Sequence, residues 1–120
     1  MLVDLYYETG NLSGVQQAYE ASLKLSPENP NVLNNLAWLY ATAEDPHFRN
    51  PVRALDLAKA AAGLLEEPHI LDTLAECYFV NGQYAKALET AQHALRLARE
   101  NRTYYQEHVE KFRKEAGPSA

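Results

Sequence analysis

The chain repeats itself, and that limits its fold more than anything else in the sequence. Leu2, Val3 and Tyr6 return as Leu36, Ala37 and Tyr40 at a shift of 34, and the triplet returns again as Leu74, Ala75 and Tyr78 at a further shift of 38. A second set, Ala54, Ala58, Ala61 and Leu64, returns at a shift of 33 as Ala87, Ala91, Ala94 and Leu97, with Val15, Tyr19, Ser22 and Leu25 as its upstream counterpart. A constant period of 34 then requires an insertion of five within 43–50 and a loss of one at 66–68. On that arithmetic Gly10 and Gly82 must stand 72 apart, and they do. Such a chain stacks one supersecondary unit on the next, each burying its apolar face against its neighbours.

The unit is a pair of helices. The first set falls at i, i+1 and i+4, and the second at i, i+4, i+7 and i+10, each reading as one helix face. Five Gly and six Pro in 120 residues, with abundant Ala, Leu and Glu, favour helix and give no sign of strands. Gly10 and Gly82 end the first helix of their pairs, where a left-handed residue is cheapest as Gly. Asn50-Pro51 offers an N-cap followed by Pro at the first helical position, Asn29-Pro30 does so less cleanly, and Glu67-Pro68 marks the third start. These signals predict helices near 2–9, 12–25, 30–43, 51–64, 68–80 and 84–99. After Asn101, Tyr105, Val109 and Phe112 form an apolar stripe among charged residues, which predicts a seventh helix that closes the end of the stack.

Leu33-x2-Leu36-Ala37-x2-Tyr40 and Leu71-x2-Leu74-Ala75-x2-Tyr78, followed by Ala54-x3-Ala58 and Ala87-x3-Ala91, with Pro27 closing the first unit, resemble the tetratricopeptide repeat over nearly the whole chain. The resemblance implies an all-α fold, a right-handed α-solenoid of antiparallel helix pairs with about three repeats and a C-terminal capping helix. A truncated first repeat covers 1–29, the second 30–67 with its insertion, the third 68–100, the cap 101–116 and a tail 117–120. Small residues at Ala37 and Ala75 let paired helices approach, so bulk there destabilises. Ala58 and Ala91 stand where the family usually has an aromatic residue, which bears on the pitch of the superhelix. The run from Leu36 to Ala75 also resembles repeats of bacterial multidomain proteins.

Several functions are disfavoured by composition. A net charge of -5 argues against nucleic acid, whose phosphates are held by clustered Lys and Arg. No apolar run approaches the ~20 residues of a membrane span, and the N-terminus lacks a basic n-region and a long h-region, so a soluble chain is expected. The cytoplasm is the default compartment, with the periplasm as the alternative if the parent chain carries a signal. Cys77, the single cysteine, reads as core filler. His47, His69, His93 and His108 have no metal-ligand spacing, and no phosphate loop, nucleophile elbow or paired-carboxylate motif is present. The expectation is a non-enzyme with no cofactor and no metal.

In this family the first helix of each pair lines the concave face. The resemblance therefore implies a binding surface of Tyr7 and Glu8 in repeat one; Asn31, Asn34, Asn35, Trp38, Ala41 and Thr42 in repeat two; and His69, Asp72, Glu76 and Phe79 in repeat three. Trp38, Tyr7 and Phe79 offer rigid anchors, and Asn34 and Asn35 offer amides to a peptide backbone. The alternative for Trp38 and Phe79 is a wedge between repeats. A clamp for a partner's C-terminal carboxylate is not expected, because only Asn35 matches it, no Lys or Arg faces the groove, and Asp72 and Glu76 repel an anion. Phe48, in the insertion, either reaches a partner at the edge or folds back over the helix ends.

The first repeat lacks its beginning, so the chain reads as a piece of a longer protein, the alternative being a naturally short first helix. Its open apolar edge around Leu2, Leu5 and Tyr6 invites a partner, including a second copy. The leading function is a protein- or peptide-binding scaffold. Its rivals are self-association through the N-terminal repeat, giving a homodimer, and a structural spacer between neighbouring domains.

Overall fold

The computed structural model describes residues 11–117. The described part is α1 (Leu12–Leu25), α2 (Pro30–Thr42), α3 (Pro51–Leu64), α4 (Pro68–Val80), α5 (Tyr84–Leu97) and α6 (Arg102–Ala116), with one 3-10 turn at Pro46–Phe48. The predicted helix at 2–9 and Gly10 lie outside the described residues.

Three of the six described helix starts are capped by an asparagine side chain. Asn11 accepts from the Gly14 amide at 3.0 Å, Asn50 from the Arg53 amide at 3.2 Å, and Asn29 from both Asn31 and Val32 at 3.1 and 3.3 Å. Asn29 thus makes a fuller cap than its sequence suggested. Gly82 has φ +77 and ends α4, as expected, with its amide and that of Gln83 returning to the carbonyls of Phe79 and Tyr78. Two predicted ends move inward, to Thr42 and Leu97, because Ala43 and Ala98 have left the helical region of backbone space at ψ 133 and 128. Arg102 secures the second of these ends by donating to the carbonyls of Leu95 and Ala98 at 2.9 and 2.6 Å.

The helices stack as pairs: α2 packs on α3, α4 on α5, α3 on α4, and α2 lies beside α4. Ala37, Ala54, Ala75 and Ala87 are completely buried, which is why the paired helices sit so close. The fourth member of the repeated second-helix set is not in the core: Leu25, Leu64 and Leu97 are 87%, 47% and 41% exposed. A residue at i+10 has drifted about 80° from the first position at 3.6 residues per turn, and these three also end their helices.

In register, α6 is the first helix of a further pair. It begins one full period after α4, at Arg102 against Pro68, and Tyr105, Val109 and Phe112 are buried in the places of Leu71, Ala75 and Tyr78. Phe112 is fully buried in a cluster with Ala75, Ala87, Leu88, Ala91 and Val109. The insertion is pinned to the body of the fold. Arg49 donates to the carbonyls of Ala43 and Glu44 at 2.6 and 2.8 Å, the Asn50 amide donates to Tyr40, and Phe48 is half-buried against the main core. Beside the 3-10 turn, the His47 amide donates to the Asp45 carboxylate and holds it below its usual range. Among the described residues, no helix is long and apolar enough to cross a membrane.

Candidate functional site

First helices α2 and α4 lie side by side, α6 meets α4 through its side chains, and a cavity of about 320 Å³ opens on the three. Asn34, Asn35 and Trp38 line it from α2, Asp72 and Thr73 from α4, Tyr104 from α6, and Tyr19 from α1. The helix period explains the shared wall: Asn34, Asn35 and Trp38 stand at i, i+1 and i+4 on the side of α2 away from the buried Leu33, Leu36 and Leu39.

Trp38 is 37% exposed, so it stands on the cavity side rather than wedged shut between repeats. The Asn34 side-chain oxygen is buried with no hydrogen-bond donor among the described residues. Opposite, Asp72 is only 6% exposed and accepts from the Tyr104 hydroxyl at 2.7 Å, while its other oxygen meets His108 Nδ1 at 2.6 Å. Burial, then the bond to Asp72, pushes the Tyr104 phenol well above its ordinary value. Tyr105 supports the Tyr104 ring edge-on at 5.1 Å, and His108 packs on it at 4.2 Å.

Of the residues expected on the concave face, Asn34, Asn35, Trp38 and Asp72 are brought together. The others have different surroundings. Ala41 is buried in the main core. Thr42 turns its hydroxyl back onto the Trp38 carbonyl at 2.7 Å. Asn31 is exposed in the first turn of α2, where its amide is taken by the Asn29 cap. His69 lies 3.6 Å from Glu67 and lines a separate groove along the loop edge with Leu97 and Tyr105. Glu76 pairs with Lys111 at 3.3 Å, so a lysine does reach this wall, supplied by α6 and neutralised there. Phe79 packs between Tyr84 and Phe112 at 5.5 and 5.4 Å, with Lys111 Nζ 4.9 Å from its ring centre. Tyr7 and Glu8 lie outside the described residues, as do Leu2, Leu5 and Tyr6.

Sequence reasoning missed Thr73, Tyr19 and Tyr104. For Tyr104 a signal existed: α6 starts one repeat period after α4, which makes it another first helix whose side chains face the same cavity. Cys77 is fully buried and its thiol is pushed up to about 12 by burial and by Glu76, so it carries no nucleophile at neutral pH. Among the described residues, no group of three His, Cys, Asp or Glu is placed to hold a metal ion.

Two stretches of the chain match models described as tetratricopeptide repeat. One runs over 18–56, from α1 through α2 into α3, and the other over 68–101, which is α4, α5 and the loop to α6. No match is found among the curated proteins. Repeats of this kind generally mediate protein–protein interaction or scaffolding and are typically non-catalytic. From the repeated helix pairs, the sequence periods and the two matched stretches together, the chain belongs to the tetratricopeptide-repeat family.

Proposed function

We propose that the chain is a non-catalytic scaffold that holds an extended segment of another protein in the cleft between α2, α4 and α6. In this reading the repeats at 30–67 and 68–100 and the helix at 101–116 supply the three walls. The supporting observation is the exposed indole of Trp38 beside two asparagine amides in an open cavity of about 320 Å³. A large flat aromatic in a recess is the commonest form of binding anchor, and an amide side chain pairs with both the N–H and C=O of an extended backbone.

Selection against a displayed library of random peptides tests this. Because Trp38 is the single tryptophan, its fluorescence reports on the cleft directly. Selected peptides are expected to change that fluorescence. Trp38→Ala with Asn35→Ala is expected to weaken them by about thirtyfold or more, the ~2 kcal/mol of a hot-spot side chain. Peptides that bind this variant unchanged, with its helicity intact, overturn the reading.

A further inference from the structure

We infer that the cleft receives a cationic side chain, lysine or arginine, of the bound segment. This rests on reading the cleft as a peptide site and adds the chemistry of what it selects. Three of the lining residues are aromatic, Tyr19, Trp38 and Tyr104; one is anionic, Asp72; and none is basic. Aromatic faces attract cations through the ring quadrupole, most strongly that of tryptophan.

Among the described residues, no lysine or arginine neutralises the anion in this cleft. Asp72 accepts from Tyr104 and meets His108, an ion pair when that imidazole is protonated, while Lys111, the lysine that α6 turns toward α4, is paired with Glu76 one turn along. An ionised carboxylate offers about four acceptor positions, and two are used here. The Asn34 oxygen is a second acceptor in want of a donor. Asn34 lines the cleft, and the terminal torsion of an asparagine is broad enough to let that oxygen reach it. An ammonium brings three donors and a guanidinium five, whereas an acidic side chain meets Asp72 with like charge and an apolar one leaves Asn34 unsatisfied.

The test titrates isotope-labelled chain with capped tripeptides alanine–X–alanine, where X is lysine, arginine, norleucine or glutamate, and follows the Trp38 indole N–H signal. Lysine and arginine peptides are expected to move it with about tenfold higher affinity than norleucine, and glutamate not at all. Asp72→Asn is expected to remove that advantage over norleucine. Because Asp72 also holds α6, Asn34→Leu serves as a second variant that leaves this contact in place, and it is expected to weaken lysine more than norleucine. Equal affinity for lysine, norleucine and glutamate overturns the inference, as does a lysine response confined to residues outside the cleft. If display-selected peptides bind at Trp38 without a basic residue, the cation inference falls and the peptide-site reading stands. If display yields nothing yet lysine moves Trp38 selectively, the cation site stands and the extended-segment reading falls.

Discussion

Asn34, Trp38 and Ala41 of α2 stand in the register of Asp72, Glu76 and Phe79 of α4, one repeat and its insertion further on. The two helices have the same place in successive repeats, and the three positions have opposite fates. In α2 the first has an unpartnered oxygen, the second exposes an indole, and the third is small and buried. In α4 the first has two partners, the second an ion pair, and the third a ring between two rings, and α6 contributes to all three. A concave position in a solenoid is therefore an open wall or a packing surface according to what the next helix brings to it. The repeat pattern marks only that the position faces inward.

Removing what α6 brings should break the contrast, and this is the largest expected effect. Phe112→Ala empties a fully buried ring site in the cluster of Ala75, Leu88 and Ala91 and is expected to cost about 3–5 kcal/mol by chemical denaturation. It should also raise protease sensitivity in α6 before the α2–α3 pair is affected. A loss below about 1 kcal/mol, well short of a buried ring's usual cost, means that α6 is not what closes the α4 face.

The helix starts sharpen the comparison at smaller amplitude. Asn29 and Glu67 are the corresponding N-cap residues, but Asn29 bonds two amides while Glu67 makes no side-chain cap bond. Asn29→Ala is expected to cost about 1 kcal/mol and Glu67→Ala close to nothing, read as a shift in denaturation midpoint. Equal losses would show that the two starts are held in the same way.

The last effect is silent at neutral pH. Leu39 and Cys77 share a register position, and both are buried, but only Cys77 titrates. Its folded pKa is raised from 9.0 to about 12, so the unfolded chain releases the proton first. Stability is full below about pH 9 and falls between 9 and 12, and Cys77→Ala should flatten that decline in alkaline denaturation curves. Thiol reagents should react with Cys77 only as fast as the fold opens.

Much of the fold was legible in the chain itself. The repeat period, the i, i+4 alanines and the Asn-Pro starts located every described helix closely at both ends, because those signals act over one or two turns. Four of the seven residues that line the cleft were on the expected concave face. Trp38, Asn34, Asn35 and Asp72 follow from the family resemblance, which puts the non-core residues of a first helix on the concave face. The rest required neighbours distant in sequence: Tyr104 and His108 reach Asp72 from another helix, a whole repeat away along the chain. The Thr42 hydroxyl is engaged by a local bond to its own helix, a competitor that sequence spacing does not expose.

By itself, then, the sequence determined that helices pair, where they begin, and which residues of each helix are apolar, since helical periodicity and capping are short-range physics. Only the tertiary structure decided which inward positions stay open. Whether a side chain such as Trp38 remains exposed or one such as Phe79 is packed between rings depends on the helix stacked beside it, and that contact is set by packing across repeats rather than by any local propensity.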